Sequence, residues 1–328
     1  KDEAIEVYEY LDPAVQQSLL ERLRSGEVLE LVEEMSPDDR VRLFDELPAK
    51  VVRRLLAELS PAERRVTAQL LGYEPETAGR LMTTEFIDLK EFHSAAQALT
   101  IVRRRARDTE TIYSLYVTDG ERRLTGILSL RDLVTADPED SIGDVMTRDV
   151  VSVRTDTDQE EVARAIQRYD FLAVPVVDRE QRLVGIVTVD DVIDVITEEA
   201  TQDIYNLAGL SEEDRVFSSA RVSIRQRLPW MLVNLGTAFS AGAVVGLFEG
   251  TIEQMVGLAI FLPVVAGVGG NGGIQTLTVI TRAIALGEIE FSSGLRAVFK
   301  EMFVGLVVGT AAGAISGGIA YLLHGNLY

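Results

Sequence analysis

The heptapeptide Gly-Ile-Leu-Ser-Leu-Arg-Asp at residues 126–132 recurs as Gly-Ile-Val-Thr-Val-Asp-Asp at residues 185–191. Two further matching stretches open the copies, Met-Thr-Thr at residues 82–84 and Met-Thr-Arg at residues 146–148. The offset is 64 residues at the openings and 59 at the heptapeptides, so the first copy carries a five-residue insertion. Internal similarity at such a spacing indicates a duplicated structural unit.

Both copies contain the same order of predicted elements. A short β-like run comes first, an amphipathic helix follows, and two β-rich runs flank a turn. A closing helix then starts near Ser129 or Thr188, whose hydroxyls are suited to capping it. The predicted runs are 86–89, 95–105, 111–117 and 124–129 in the first copy, and 150–153, 159–169, 172–177 and 183–188 in the second. The sequence therefore predicts a paired α/β unit between residues 82 and 197.

Residues 1–72, ahead of the repeat, have a helical pattern. Ser36-Pro37 and Ser60-Pro61 each combine an N-cap residue with a proline in the first helical turn. Apolar residues recur at helical spacing between these two starts. The pattern predicts an all-α domain, a small superhelical bundle of helical hairpins.

The region behind the repeat is apolar and rich in glycine. Residues 228–248, 254–281 and 302–323 carry no charge, and each stretch is long enough to cross a bilayer as a helix. Basic residues precede the first stretch and lie between the second and the third. In the loop between the first two stretches, the only charged residues are acidic. This asymmetry predicts three membrane spans, with the front section cytoplasmic and Tyr328 outside.

The second predicted span has an unusual backbone composition. Five glycines lie within residues 267–273, and so many glycines should destabilise a helix. Irregular backbone is tolerated in a membrane only where it is buried in protein or lines a water-filled cavity. The glycines alone favour the alternative, close helix–helix packing through small residues. Together with Pro263, Asn271 and Gln275 they favour a pore lining, which we predict. The predicted pore-lining residues are Pro263, Gly269, Gly270, Asn271 and Gln275.

Charge narrows the possible functions. The net charge is −20, and nearly all of it lies ahead of residue 228. Such a body repels nucleic acid and attracts cations, although an ordinary acidic surface would have the same composition. The chain has no cysteine and two histidines, and no P-loop or Ser/His/Asp grouping is present. The sequence therefore predicts a protein that is not an enzyme and does not bind nucleic acid.

An acidic stripe follows the second heptapeptide. Asp191, Asp194 and Glu198 share one face if this stretch is helical. Like charges so placed repel one another, and a hard divalent cation with oxygen ligands removes that repulsion. The alternative is a solvated acidic face. The position just ahead of the first predicted span favours a ligand site.

The two closing heptapeptides resemble the tandem motifs of a CBS-domain pair. That resemblance implies an adenine-nucleotide site, with the motif hydroxyl and carboxylate at the ribose and Phe171 placed to stack on a base. The alternative is that Asp132 and Asp191 only cap their helices. The nucleotide-binding candidates are Ser129, Arg131, Asp132, Phe171, Thr188 and Asp191.

The order of the regions resembles the MgtE magnesium channel family. The stretches that match its pattern are residues 77–83, 110–113, 154–162, 228–230 and 269–275. The resemblance implies a helical N-domain at 1–72, CBS repeats at 73–138 and 139–200, a connecting plug helix at 201–226 and a transmembrane section at 227–328. The expected fold class is thus a multidomain membrane protein with an all-α N-domain, an α/β CBS pair and a helical transmembrane bundle.

The same resemblance implies a mechanism. The family is a homodimer in the cell (inner) membrane, in which Mg²⁺ bridges the cytoplasmic domains and closes the pore. Chemistry alone does not separate Mg²⁺ from Mn²⁺, Co²⁺ or Ca²⁺, and ATP is implied as a further regulator. Gln202 stands where the family often has an acid. The implied metal ligands are Asp38, Asp158, Glu160, Asp170, Asp191, Asp194, Glu199 and Asp203.

The family has five spans, with a pore carboxylate in the last, whereas three are predicted here. We therefore do not expect this chain alone to conduct. The rival hypothesis is a nucleotide-sensing CBS module on a membrane anchor, with no transport role.

Overall fold

The computed structural model describes residues 25–210, 220–254, 259, 261–285 and 294–324. Its chain divides into two compact units, Lys1–Glu199 and Ala200–Tyr328. The first contains a helical domain and the α/β repeats, and the second contains the apolar region. The part of the predicted helical domain that precedes Ser25 lies outside the described residues.

Four helices form the described part of the helical domain: α1 (Ser25–Glu34), α2 (Pro37–Glu46), α3 (Ala49–Glu58) and α4 (Pro61–Leu70). Both predicted proline starts are confirmed, and Ser60 Oγ caps α4 by accepting the Glu63 N–H at 3.3 Å. Valine, leucine, methionine and phenylalanine side chains from α1, α2 and α3 fill the core.

A buried arginine joins the first and last of these helices. Arg40 is 1% exposed, and its guanidinium donates to the carbonyls of Val32 (2.7 Å) and Met35 (2.6 Å) at the end of α1. It also bonds to the Glu63 carboxylate on α4 at 2.6 Å. Because these partners satisfy a charge that burial would otherwise penalise, Arg40 stabilises the bundle rather than binding a ligand.

The two copies of the repeat fold alike. The first consists of α5 (Ala78–Leu81), β1 (Asp88–Leu89), α6 (Ala95–Arg105), β2 (Ser114–Thr118), β3 (Leu124–Ser129) and α7 (Leu130–Thr135). The second consists of α8 (Ile142–Val145), β4 (Val153–Arg154), α9 (Gln159–Tyr169), β5 (Ala173–Val177), β6 (Leu183–Thr188) and α10 (Val189–Leu207). Each sheet has three strands in chain order, the first pair parallel and the second antiparallel. The predicted paired α/β unit is confirmed.

Each copy completes the other. The Thr83 N–H donates to Ile186 O (2.9 Å), and the Thr147 N–H donates to Ile127 O (2.8 Å), so the opening of each copy pairs with the closing strand of the other. A Cβ on Gly185 would lie 2.7 Å from the carbonyl oxygen of Thr83, and one on Gly126 would lie 3.2 Å from that of Thr147. Such close approach explains why the opening Met-Thr and the closing glycine occur together.

After the end of α10, the apolar unit contains four described helices: α11 (Ala220–Gly246), α12 (Glu249–Gln254), α13 (Leu262–Ala285) and α14 (Gly294–His324). Within the described residues, two helices are long and apolar enough to cross a membrane, residues 220–246 and 294–319. The structure therefore supports two of the three predicted spans by length and composition.

The predicted irregular backbone at residues 267–273 is wrong, since α13 is a single α-helix from Leu262 to Ala285. In apolar surroundings every backbone N–H and C=O needs a partner within the protein, and a helix supplies all of them. This requirement outweighs the cost of about 1 kcal/mol for each glycine in a helix. Apart from the neighbouring backbone of α13 itself, no described atom lies within 4 Å of the position that a Cβ would take on these glycines. The described contacts therefore do not show the packing alternative either.

Helix α10 continues past residue 200 into the predicted connecting segment, and residues 211–219 of that segment lie outside the described residues. In the second unit, Gly209 has a positive φ of 64° and ends the turn after α10. A Cβ there would lie 2.6 Å from the Trp230 ring, so a glycine is needed for the indole of α11 to pack on this turn.

Candidate functional site

A buried carboxylate marks the junction between the helical domain and the repeats. Asp38 lies in the first turn of α2 and is 7% exposed. Its Oδ1 has no hydrogen-bond partner among the residues that the structure describes. Burial, and then the neighbouring charge of Asp39, raise the pKa of Asp38 to about 7. A buried carboxylate oxygen without a hydrogen-bond partner lowers the stability of the fold. Its presence indicates a group that binds a ligand or a proton.

Asp191 approaches the same place from the first turn of α10. It accepts a hydrogen bond from Thr188 Oγ1 at 2.7 Å. Burial and the charge of Asp38 raise its pKa, although the Thr188 hydrogen bond acts in the opposite direction. Two predicted metal ligands that are far apart in sequence therefore belong to one electrostatic group.

Glu110 adds a carboxylate from the first repeat. It is exposed at the surface, yet partial desolvation, followed by the charges of Asp38, Asp190 and Asp39, raises its pKa to about 8. Because water reaches Glu110 and screens part of this repulsion, the buried Asp38 and the half-buried Asp191 contribute more to the electrostatics of the group. We call Asp38, Asp39, Glu110, Asp190 and Asp191 the junction cluster.

Sequence reasoning missed Asp39, Glu110 and Asp190 as parts of this group. Asp39 and Asp190 adjoin predicted ligands, so the acidic pairs Asp38-Asp39 and Asp190-Asp191 were a usable signal. Glu110 lies in a stretch that matches the family pattern, but no periodicity links it to Asp38.

Asp194 differs from the other predicted ligands. One turn along α10 from the junction cluster, its carboxylate is ion-paired with the Arg42 guanidinium of α2. Burial disfavours the charged guanidinium, but the hydrogen bond and charge of Asp194, then the charges of Glu198 and Asp39, raise the pKa of Arg42 overall. Asp194 thus already has a cation from its own chain.

A second acidic group lies at the start of α9. Glu199 accepts a hydrogen bond from Gln159 Nε2 at 2.8 Å. Burial raises the pKa of Glu199, and the hydrogen bond from Gln159 lowers it. The negative charges of Glu160, Asp158 and Glu76 raise the pKa of Glu199 further. Asp158 caps α9 by accepting the Glu160 N–H at 2.9 Å, and Glu160 pairs with Arg164 at 2.5 Å. The structure therefore brings three more predicted ligands together.

Asp170 and Asp203 are predicted ligands that the described contacts place neither in the junction cluster nor in the group at the start of α9. Asp170 is an exposed C-cap of α9 in the left-handed conformation, with a φ of 52°. Asp203 lies on α10 in the second compact unit. Their assignment as ligands stays a prediction from the resemblance.

The donor chemistry of the junction cluster suits a hard divalent cation. Its ligands are all carboxylates, and Asp38 Oδ1 is both buried and without a partner. In the part of the chain that the structure describes, no three His, Asp or Glu side chains are close enough to enclose an ion. Mg²⁺ keeps several of its waters and needs few direct carboxylate ligands, so a looser group of carboxylates is compatible with that ion.

The predicted nucleotide residues make local hydrogen bonds in both repeats. Ser129 Oγ donates to Asp132 Oδ2 (2.5 Å) and accepts the Asp132 N–H (3.0 Å), while Thr188 donates to Asp191. The prediction that Ser129 caps the closing helix of the first copy is thus confirmed. Arg131 and Asp132 are exposed.

Two aromatic side chains lie beside the nucleotide candidates. Phe171 stacks on the exposed Tyr169, with 5.3 Å between ring centroids. Sequence reasoning gave no role to Tyr113, which is 62% exposed and whose carbonyl accepts the Leu130 N–H next to Ser129.

The predicted pore-lining residues all lie on helix α13. Near its end, Thr276 Oγ1 donates to Glu301 Oε2 of α14 at 3.1 Å, and Lys300 Nζ pairs with Glu301 Oε1 at 3.1 Å. The Thr276–Glu301 hydrogen bond joins α13 to α14. The assignment of α13 residues to a pore stays a prediction.

Three family models match the chain. They describe an MgtE intracellular N domain (residues 1–76), a CBS domain (78–139 and 142–198) and, under the name MgtE, a divalent cation transporter (262–328). The magnesium transporter MgtE of Thermus thermophilus is 44% identical over 261 residues, 79% of this chain and 56% of that protein. The chain belongs to the MgtE family.

Solved structures resemble the MgtE front section in fold. The cytosolic domain of the Mg²⁺ channel MgtE in complex with ATP is 47% identical, with a TM-score of 0.57, covering 60% of this chain and 80% of that one. The soluble part of a magnesium transporter is 39% identical, with a TM-score of 0.59, covering 61% and 78%. The chain spans between 54% and 59% of the length of the curated MgtE transporters it matches. The predicted order of N-domain, CBS pair and transmembrane section is confirmed.

Proposed function

We propose that this chain is the regulatory section and part of the membrane section of a magnesium-selective channel or transporter, whose pore closes when intracellular Mg²⁺ binds the acidic cytoplasmic domains. The observation that carries the proposal is the buried Asp38 carboxylate, whose Oδ1 has no partner among the described residues. Asp38 and Asp191 repel each other through surroundings that exclude much of the water. Bound protons or cations stabilise such an arrangement at neutral pH, because they neutralise the carboxylates.

The proposed switch is an equilibrium between a docked and an undocked helical domain. Without a divalent ion, the junction carboxylates repel and favour separation. Bound Mg²⁺ neutralises them and favours the docked state, because the ion has higher affinity for the arrangement that presents several carboxylates. The Asp158–Glu160–Glu199 group is a second place where the same neutralisation would act.

Coupling to the membrane section is proposed to run through α10 and the connecting plug helix near residues 203–224. Helix α10 extends unbroken from the Asp191 end to Leu207. The protein is proposed to act as a homodimer in the cell (inner) membrane, with its acidic section in the cytoplasm and Pro263, Gly269, Gly270, Asn271 and Gln275 along the pore. The family relationship to transporters supports this assignment over an enzyme.

Hydrogen exchange on the full chain in detergent tests the switch. We expect added Mg²⁺ to slow amide exchange in α2 and in the first turn of α10, and Asp38→Asn to remove most of that response. Trp230 is the sole tryptophan, so its fluorescence reports on the turn at Gly209 in the same titration. Unchanged exchange at every Mg²⁺ concentration would contradict the proposal.

A transport assay completes the test. The full-length parent should restore growth of a magnesium-auxotrophic strain. Neutralising Asp38 or Asp191 should leave uptake active at high intracellular Mg²⁺, where the wild type closes. A Glu121→Gln variant is a suitable control, because Glu121 is exposed on the β2–β3 turn.

ATP is proposed as a second ligand, since a 47% identical MgtE cytosolic domain was solved with ATP. The exposed Arg131, Asp132 and Tyr113 lie beside Ser129 in the first repeat, where a nucleotide has access. The rival function, a nucleotide-sensing module without transport, predicts ATP binding with no effect of Mg²⁺ on α2 exchange. Calorimetry with ATP on the wild type and on Asp132→Asn tests the nucleotide site, and the effect of Mg²⁺ on α2 exchange separates the two functions.

A further inference from the structure

The start of helix α11 concentrates positive charge in an otherwise acidic chain. Residues 215–248 include four arginines and no aspartate or glutamate, although the net charge of the whole chain is −20. Arg221 and Arg225 lie four residues apart in the first two turns of α11, so their side chains project from one side of the helix. Both are exposed, and neither guanidinium makes an ion pair or a hydrogen bond within the described residues.

The opposite side of the same helix start rests against the chain. Ser223, Gln226 and Trp230 follow one another at spacings of three and four residues, which places them on one face. Ser223 and Gln226 are half-buried, and the Trp230 ring packs on the turn at Gly209. The protein therefore holds one side of the helix start and leaves the arginine side open.

The rest of α11 locates these arginines relative to a bilayer. Residues 228–246 carry no charge, and all their large apolar side chains are exposed, as a lipid-facing helix requires. Arg225 and Arg221 precede Leu228 by about one and two helical turns. Arginines just ahead of an apolar span, with a tryptophan at the boundary, are typical of the depth of the lipid headgroups.

Phosphate is the anion that the two guanidinium groups suit. A guanidinium presents a planar set of donors that pairs with two phosphate oxygens, and lipid headgroups supply phosphate at this depth. A zwitterionic headgroup also carries a cation, which repels neighbouring guanidinium groups, whereas an anionic headgroup keeps its net negative charge. Basic clusters next to a membrane span accordingly attract anionic lipids.

We propose that Arg221 and Arg225 together bind the headgroup of an anionic phospholipid from the surrounding bilayer, on the side of α11 opposite the Trp230–Gly209 contact. The inference requires α11 to lie in a membrane. It goes beyond the proposed function, because it does not depend on Mg²⁺ sensing or on closure of a pore.

The test is lipid binding to the full chain in nonionic detergent, measured by native mass spectrometry. Short-chain phosphatidylglycerol and phosphatidylcholine are the anionic and zwitterionic probes. We expect phosphatidylglycerol to bind at least about tenfold more tightly, and high salt to reduce this preference. Arg221→Gln and Arg225→Gln should each weaken phosphatidylglycerol binding about fivefold and leave phosphatidylcholine binding unchanged.

Two further variants separate a specific site from general surface charge. Arg296→Gln is the matched control, since Arg296 is exposed near the start of α14 and is the sole arginine of that helix. Arg221→Lys combined with Arg225→Lys should keep part of the preference, because the charge remains while the paired donors are lost. All variants are compared at equal helical circular dichroism, so that loss of fold is not read as loss of binding.

Three outcomes would each overturn the inference. The first is equal affinity of the wild type for the two lipids. The second is a loss in Arg296→Gln as large as that in Arg221→Gln. The third is displacement of the lipid by millimolar inorganic phosphate, which would assign the arginines to a soluble anion. An absent Mg²⁺ response of α2 would contradict the proposed function and leave the lipid site intact.

Discussion

The two repeats close with the same motif and the same local hydrogen bond, yet they present it to different surroundings. Ser129 bonds Asp132 at the surface, where Asp132 is exposed. Thr188 bonds Asp191 beneath the helical domain, where burial and Asp38 raise the pKa of Asp191. Duplication supplied two equivalent carboxylates, and docking of the helical domain made one of them a candidate cation sensor. The other stays open to a solvent-borne ligand.

The largest expected loss of stability concerns the glycine that begins each heptapeptide motif. Gly185→Ala should destabilise the repeats by about 2 kcal/mol, because its Cβ meets the backbone oxygen of Thr83 and the Met82 side chain. Gly126→Ala should cost less, since its Cβ chiefly meets the flexible Met146 side chain. Thermal unfolding measures both. Gly120→Ala, with no atom within 4 Å of the added Cβ, is the control.

The next largest effect is a difference in Mg²⁺ response between the Asp191 and Asp132 carboxylates. Asp191→Asn should shift the Mg²⁺ midpoint of α2 protection about tenfold, which corresponds to about 1.4 kcal/mol. Asp132→Asn should leave that midpoint unchanged and weaken ATP binding instead. Equal effects of the two substitutions on the Mg²⁺ midpoint would remove the distinction between the repeats.

A pH titration without divalent cations sharpens the comparison. The folded-state pKa values of Asp38 (about 7) and Asp191 are raised above their unfolded value of 3.8. Their stabilising contribution is therefore fully present below about pH 3.8 and is lost as the pH rises, in the case of Asp38 through about pH 7. We expect the melting temperature in EDTA to fall across this range. Saturating Mg²⁺ should flatten the dependence, since the ion replaces the protons.

Asp38→Asn should remove much of that pH dependence, whereas Asp132→Asn should leave it intact. A melting temperature that rises with pH in EDTA would contradict the assigned burial of the junction carboxylates.

The smallest expected loss of stability follows from removal of the Ser129 or Thr188 hydroxyl. Ser129→Ala removes the cap of α7 and should cost about 0.5–1 kcal/mol of stability. Thr188→Ala should cost more, because it leaves the half-buried Asp191 without its donor. Chemical unfolding of the two variants, compared at a low and at a high pH, tests whether the extra cost of Thr188→Ala follows the charge of Asp191.

Much of the front section follows from local pattern. The bounds of α6, α9, β3 and β6 coincide with the predicted runs, because periodicity, capping and turns are encoded within each segment. The short helices α5 and α8 have too few residues to show a period. The continuous helix through residues 267–273 was mispredicted because glycine propensity was judged as in water, where the backbone has other partners.

The sequence by itself determined the duplicated α/β unit, the helical front domain, the apolar section and the excess of negative charge, since each depends on composition or on spacing along the chain. Only the tertiary structure decided which carboxylates act together. It placed Asp38 beside Asp191, gave Asp194 to Arg42 and left Asp132 exposed. The physical reason is that desolvation and charge repulsion depend on distance in space, and residues on α2 and α10 become neighbours only when the helical domain docks on the repeats.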